Sequence, residues 1–529
     1  MTPDWLKFKK YPHIGEPLTK KRDSGWIIRY VTNPQLIAKH KFTPLLHKKI
    51  YQRKYRPDKN APKKNGKRVR SVQKRKERPI FYASHLDSIL YSYYCYKLTS
   101  AYEDYIRDES FNLSPVAYRK IPVGPSSNSN KCNIEFAYDT FIFIENNKHR
   151  KLSVIVADVT SFFDNLDHRI LHKQWKRVLN VDSLPDDHYN IYKSLITKRF
   201  VNENELFNKF KHKLIAERGV VNDSTKIRLR NINVKHNWYL KKERVVAYCT
   251  KKDFFNEATH LIRAEKACSH QHKKCRNNCT PKGIPQGTPM SATLANIYML
   301  DFDKTVFNEC QKRNSYYQRY SDDLIIVCDQ ENEQYFFNLI RKSVEKTAKL
   351  EIHPNKTNIY RYETIGKNFN GGILEEDNSI SDRKQLEYLG FEYDGKKVRV
   401  KTVGFSKFYR SMKRSLARGV HFASMPYNKT NKLFEERLYR RFTYKGAKRR
   451  LIFKRDLKSG EFYKSKEQYW GNYISYLEKA NRIMRPINGD DSIKKQYSKF
   501  WNNFHLEMKK SYLKIGKNLL KFRGYSNKN

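Results

Sequence analysis

The segment Tyr320-Ser321-Asp322-Asp323 sets two carboxylates side by side between apolar runs. Leu324 to Val327 follow with no polar break, the composition of a buried strand. The pattern predicts strand, tight turn, strand, with both aspartates at the tip. Adjacent like charges repel, and a cation between them removes that cost. An all-oxygen donor set suits Mg²⁺, which commonly brings substrate phosphates with it. An Asp-Asp pair in a solvated hairpin is ordinary by itself, so a third carboxylate at a strand end decides the matter. Leu152 to Ala157 form a second short apolar, β-branched run, and Asp158 ends it. Antiparallel pairing of these strands would bring Asp158, Asp322 and Asp323 together. Three carboxylates can hold two metal ions about 4 Å apart, the arrangement used for in-line phosphoryl transfer.

Other elements must position these groups. Residues 78 to 122 read as a strand and an amphipathic helix carrying Ile80, Leu86, Ile89 and Leu90, then a loop with Arg119 and Lys120. The stretch GIPQGTPMSATLANIYML, residues 283 to 300, starts as a Gly/Pro loop. It continues as a helix with Ser291 as N-cap and Leu294, Ile297 and Tyr298 on one face. Strand-like alternation at Phe162 and Phe163 puts one ring in a core and leaves one free for a site. A helix follows the Asp-Asp hairpin, and short strands follow the helix. From residue 400 the chain reads as mostly helical. Its first helix carries an apolar stripe of Phe405, Phe408, Tyr409, Met412, Leu416 and Val420, and a basic stripe of Lys407, Arg410, Arg414 and Arg418. A last helix is predicted near residues 492 to 511. Residues 1–70 read as a basic N-terminal extension, and residues of about 200–282 as a polar, basic insertion.

Lys and Arg number 107 against 54 acidic residues, a formal charge of +53. So basic a chain repels itself unless a polyanion neutralises it, and nucleic acid is the natural partner. The charge runs along the whole chain, which favours a long channel or a wrapped strand over one docking patch. Most of the 37 Tyr and 30 Phe are expected to fill cores, while rings interleaved with cations also suit single-stranded nucleic acid. The first residues lack an apolar signal core, and no apolar run reaches membrane-spanning length, so a cytoplasmic protein without membrane attachment is expected.

The motifs ADVTSFFDNLDH, GIPQGTPMSATLANIY, YSDD, HPNKT and YLGF occur in the order seen in the palm of reverse transcriptases, and residues 78 to 395 resemble that family. The wording is most similar to prokaryotic enzymes, including retron and group II intron types. SPVAYRKIP ahead of FFDNLDH is closest to the defence-associated, antiphage group. The resemblance implies an α+β right-hand polymerase. Fingers and a palm with an antiparallel sheet would span 71–395, and a helical thumb and C-terminal region 396–529. It implies an RNA-directed DNA polymerase using two Mg²⁺ ions, with Mn²⁺ as a substitute. Its partners would be dNTPs, a DNA product and an RNA template, a dedicated non-coding RNA in antiphage defence; self-association is left open.

By the same resemblance, Asp158, Asp322 and Asp323 are the metal ligands and the Val159 carbonyl completes a metal shell. Phe163 is the steric gate that excludes a 2′-hydroxyl. Gln286 and Gly287 touch the incoming nucleotide, and Arg119 and Lys120 clamp its triphosphate. Lys356 protonates the leaving pyrophosphate, Tyr388 to Phe391 form the primer grip, and the helices after residue 400 are the thumb. A template-independent terminal transferase, a retron or intron type enzyme, and an RNA-binding scaffold with an inert palm are the alternatives. Cys268, His270, His272, Cys275 and Cys279 have spacings compatible with a structural Zn²⁺. Tyr525 near the C-terminal end is a candidate priming hydroxyl.

Overall fold

The computed structural model describes residues 3–52, 55–57, 62, 69–72, 76–127, 129–220, 223–264, 282–353, 356–375, 377, 379–382, 384–425, 427–428, 430–448, 450–455, 461–469 and 471–526. Cys268, His270, His272, Cys275 and Cys279 lie outside these residues, as does the side chain of Tyr525.

A six-stranded antiparallel sheet carries the carboxylates. Its strands are β1 (Leu152–Asp158), β2 (Tyr316–Tyr320), β3 (Asp323–Asp329), β4 (Asn358–Ile365), β5 (Asn368–Leu374) and β6 (Ile380–Ser381). They lie in the order β2-β3-β1-β4-β5-β6. The apolar runs that looked like buried strands are buried on both faces. Ile155, Ala157, Leu324, Ile326 and Cys328 enter one core, while Leu152, Val154, Ile325 and Val327 enter the other. A one-residue slip between β1 and β3 would exchange these sets, so two cores jointly fix the register. Each such side chain contributes roughly 1.5–3 kcal/mol on burial. The first core holds the helices His85–Arg107, Ser291–Tyr298, Leu300–Lys312 and Glu333–Ala348. The second holds the helix Asn133–Asn146 and the C-terminal helices.

The expected boundary at residue 70 is corrected. Trp5, Leu6, Ile27, Val31, Ile37 and Leu45 belong to the first core. The strand Leu45–Gln52 pairs antiparallel with Lys76–Tyr82 and parallel with Arg199–Asn202. The N-terminal segment is thus part of a four-stranded sheet, its short apolar stripes hidden in a composition dominated by lysine. The expected insertion is a folded unit with its own core of Leu206, Phe210, Leu214, Val234, Tyr248 and Phe254. Its strands Leu214–Val220, Asp223–Ile232 and Val245–Cys249 form a sheet completed by His13–Ile14 from the N-terminus.

The C-terminal region consists of the helices Thr402–Ala423, Glu435–Phe442, Tyr473–Asn488, Ser492–Tyr497 and Phe500–Ser526, with a strand pair, Arg450–Arg455 and Phe462–Tyr469. In its first helix Phe408, Met412, Leu416 and Val420 are buried, and Lys407, Arg410, Arg414 and Arg418 are exposed. The helix expected over 492–511 is two helices, the second running on to Ser526. Among the described residues no helix is long and apolar enough to cross a membrane.

Candidate active site

β1 and β3 pair with Asp158 directly opposite Asp323, and Tyr320 faces Asp323 across the hairpin. Only Ser321 and Asp322 form the loop, and Ser321 takes φ 64°, the positive first-position φ that two-residue hairpins use. The backbone N–H of Val159 donates to the Asp322 carbonyl at 3.1 Å, and that of His353 to the Asp158 carbonyl at 2.8 Å. Asp158, Val159 and Asp322 are therefore held in one small patch of backbone, as the spacing predicted. The segment after β1 also meets residues 351–353, through Thr160 N–H to Glu351 O at 2.9 Å.

The electrostatics follow from this crowding. Burial raises the pKa of Asp322, and the charge of Asp158 raises it further. Asp323 is pushed up to about 6, first by the protein packed around it and then by Asp322 and Asp158. One side of Asp323 is open to solvent, so the two neighbouring carboxylates carry more of that shift than burial alone would suggest. Lys356 opposes both shifts, and its ammonium is ion-paired with Asp158. The sequence pointed to Lys356 as a proton donor, and the structure places it on the carboxylate at the centre of the cluster.

Among the described residues, no three His, Cys, Asp or Glu side chains are drawn into a closed metal cage. The donor set nevertheless fits a hard divalent cation. It is all oxygen, its members repel one another, and a lysine already supplies positive charge to it.

The loop holding Gln286 and Gly287 is pinned to the fingers and to the segment after β1. Phe81 N–H donates to the Gln286 carbonyl at 2.8 Å, and Ile284 N–H donates to the Phe163 carbonyl at 2.9 Å. Gly287 has φ +113°, and a Cβ there would lie 2.6 Å from the Phe81 carbonyl oxygen. Gly283 has φ +86°, and its Cβ would lie 2.6 Å from the Asp164 carbonyl. Both positions require glycine. Ser291 is not the N-cap but the first helical residue, and its hydroxyl donates to the Pro285 carbonyl at 2.7 Å. Phe162 is the core ring and Phe163 the half-buried one, packed edge-to-face at 5.3 Å.

Arg119 departs from its expected role. Its guanidinium is 5 % exposed and clamps Glu103 at 2.9 and 2.8 Å. Its other donors go to Asn112 and to the Pro115 carbonyl. With its donors spent on the protein, Arg119 holds the 112–119 loop and is not a free phosphate clamp. Its neighbour Lys120 is exposed.

Two features escaped the sequence reading. Arg78 is exposed on the Lys76–Tyr82 strand and makes no ion pair among the described residues. Strand alternation puts it on the face of Ile80, whose side chain is the nearest to Gly287. The RPI ahead of the helix was the available signal. The other is Arg319, which ends in the hairpin itself. It is fully buried with Asp303, forming two bonds of 2.7 and 2.6 Å, and its Nη1 donates to the Ser321 carbonyl at 3.1 Å. An arginine buried in a central strand implies a buried acid, though its position cannot be read from spacing.

Tyr388 is buried and its hydroxyl donates to Gln318 Oε1 on β2 at 2.8 Å. A recess of about 460 Å³ beside Asp323 is lined by Tyr320, Tyr388, Leu389, Gly390, Asn133 and Lys401. The segment expected to grip a primer thus adjoins the carboxylates.

Residues 181–393 match the family model described as Reverse transcriptase (RNA-dependent DNA polymerase). That span contains Gln286, Asp322, Asp323, Lys356 and Tyr388, and Asp158 precedes it. No curated protein matches the sequence. Solved structures similar to this chain include apo telomerase from Candida tropicalis truncated at its C-terminal domain. That pair has TM-score 0.33 and 9% identity over 71% of this chain and 58% of that one. Telomerase from Candida albicans in complex with the TWJ fragment of telomeric RNA gives TM-score 0.33 and 11% identity, over 99% of this chain and 68% of that one. This chain therefore spans less than two thirds of the first of these.

Proposed function

We propose that this chain, whose residues 181–393 match a reverse transcriptase model, is an RNA-directed DNA polymerase that extends a primer with dNTPs at the Asp158, Asp322 and Asp323 cluster. The observation that carries this reading is the register: Asp158 opposite Asp323, Asp322 in the adjoining turn, and the glycine-locked Gln286 loop packed against both fingers and palm. In the reaction a primer 3′-oxygen attacks the α-phosphorus, the α–β phosphoanhydride bond breaks, and pyrophosphate leaves.

The three aspartates and the Val159 carbonyl would hold Mg²⁺, or Mn²⁺ in its place. Bound there, the metal supplies Lewis-acid charge for the triphosphate and lowers the pKa of the primer hydroxyl. The remaining steps belong to protein groups. Gln286 and Gly287 orient the nucleotide, and glycine lets the backbone approach it closely. Phe163 presents its ring edge where a 2′-hydroxyl would crowd it, which selects dNTPs. Arg78 and Lys120 provide the fingers charge that Arg119 does not. Lys356 holds a proton beside Asp158 and can pass it to departing pyrophosphate. The exposed stripe Lys407, Arg410, Arg414 and Arg418 faces solvent at phosphate-binding spacing and would track a nucleic-acid backbone.

The template we propose is an associated non-coding RNA, with the enzyme acting in the cytoplasm in antiphage defence. The charge of +53 supports a resident polyanion, and the SPVAYRKIP segment ahead of FFDNLDH supports the defence role. Purifying the protein, sequencing the RNA that accompanies it, and sequencing the DNA made on dNTP addition tests this. A single RNA species whose complement appears in the product is the expected result. DNA unrelated to any bound RNA would point to terminal transfer.

A further inference from the structure

A large cavity lies away from the carboxylates, between the N-terminal segment and the insertion. Its volume is about 1150 Å³, and none of the three aspartates lines it. Its lining combines three kinds of group. The first is an aromatic platform. Trp238 is 71 % exposed, and its ring stacks on His236 at 4.2 Å and 9°. What distinguishes this ring from other exposed aromatics is its place in the lining of a cavity rich in cations. The second is cationic: Lys9, Lys10, Lys20, Lys241 and Arg244 line the cavity and make no ion pair among the described residues. The acids in the lining are Glu203 and Glu217. Glu203 is already satisfied by Lys48 at 2.7 Å and by the hydroxyls of Tyr82 and Tyr248.

The third is His85, only 4 % exposed and in the cavity wall. Tyr11 stacks on it at 5.6 Å. Its ring nitrogens are sealed from solvent and face the backbone carbonyls of Val246 and Lys9, so the imidazole serves, with Tyr11, as an aromatic wall of the cavity.

An open stacking face, cations outside any ion pair and an aromatic wall together describe a receptor for an unpaired nucleotide. We propose that this cavity binds single-stranded RNA, with a base on Trp238 and flanking phosphates on Lys241, Arg244 and the N-terminal lysines. The site goes beyond the polymerase reading, because it uses none of the palm residues. It would anchor RNA away from the carboxylate cluster. A free nucleotide shares this chemistry, so the test must separate the two sources.

The experiment uses the full chain and a short single-stranded oligoribonucleotide carrying 4-thiouridine. It is photo-crosslinked, and the attachment sites are mapped by mass spectrometry. The expected result is cross-linking within residues 236–246, reduced roughly tenfold by Trp238→Ala, the scale of one lost base–aromatic stack. Lys241→Glu with Arg244→Glu should lower the salt slope of RNA binding by about two, with Trp238→Ala leaving that slope unchanged. Trp238 is exposed, so its truncation spares the core. Extension of a pre-annealed primer–template by Trp238→Ala should match the parent, which separates this site from the palm. Cross-links confined to other segments would overturn the proposal. So would ATP protecting residues 236–246 as well as RNA does, which would assign the cavity to a free nucleotide.

Discussion

Asp303→Asn is the perturbation that probes most sharply how the hairpin is held. Asp303 and Arg319 are both completely buried, and their carboxylate and guanidinium meet in parallel bonds of 2.7 and 2.6 Å. Tyr317 also donates to Asp303, at 2.7 Å. The same guanidinium donates to the Ser321 carbonyl, and the backbone of Arg319 exchanges hydrogen bonds with Ser114 and Val116. The ion pair therefore ties together the Leu300–Lys312 helix, the 114–116 loop and the turn that presents Asp322. An amide at 303 keeps the shape and leaves a buried guanidinium uncompensated. Breaking a buried pair in this way costs about 3–5 kcal/mol. If the palm unfolds as a unit of about 150–250 residues, that is a fall of roughly 6–20 °C in its melting temperature. Activity should fall as well, by about 10²-fold if the turn moves by about 1 Å. Differential scanning calorimetry and primer extension measure the two effects. The double variant Asp303→Leu with Arg319→Met replaces the pair by apolar groups and should regain most of the stability. It lacks the bond to the Ser321 carbonyl, so its kcat should stay low. An Asp303→Asn protein that melts with the parent and keeps its kcat would refute this reasoning.

Three further outcomes are expected. Asp323 has its pKa raised to about 6, so the metal-free fold holds this proton more tightly than the unfolded chain and loses stability as pH rises from about 4 to 6. A metal needs the ionised form, so Mn²⁺ affinity, measured calorimetrically, should rise with pH through about 6 and then flatten, as a property of the coupled carboxylates. Lys356→Ala should move that midpoint upward, and a pH-independent affinity would contradict the assignment. Gly287→Ala forces a Cβ against the Phe81 carbonyl at positive φ, a backbone cost of about 1–2 kcal/mol before the clash; KM for dNTP should rise, and unchanged kinetics would remove the loop from the site. Phe163→Val should erode discrimination against rNTPs by roughly 10- to 200-fold, read from the ratio of kcat/KM values.

What the sequence made legible follows from local rules. Asp158 ending an apolar run, a tight turn at the Asp-Asp pair and the glycines of the GIPQG loop are each dictated within a few residues, although the turn is Ser321 and Asp322 alone and Asp323 already begins the strand. One ring of Phe162 and Phe163 is buried and the other half-buried, as periodicity suggested, although the two lie in the short helix Phe162–Asn165 and not in a strand. What failed depends on partners distant in the chain. Arg119 looked like a free fingers cation because Glu103 lies a helix away in sequence and adjacent in space. The N-terminal segment looked like a tail because its contribution to the four-stranded sheet is completed by strands beginning at residues 76 and 199. Arg319 was read as part of a strand pattern, since nothing in the spacing reveals that Asp303 is aimed at it. Lys356 was singled out by the HPNKT motif, but its ion pair with Asp158 is a contact across 198 residues that spacing does not show.

The account rests on the carboxylate cluster catalysing templated DNA synthesis. The direct measurement is extension of a DNA primer annealed to an RNA template by the purified full chain with dNTPs and Mg²⁺, alongside Asp158→Asn and the double variant Asp322→Asn with Asp323→Asn. Product complementary to the template is expected from the parent chain and none from either variant, with all three proteins equally folded by circular dichroism. Parental extension by either variant, or no extension by the parent on any supplied template, would contradict it.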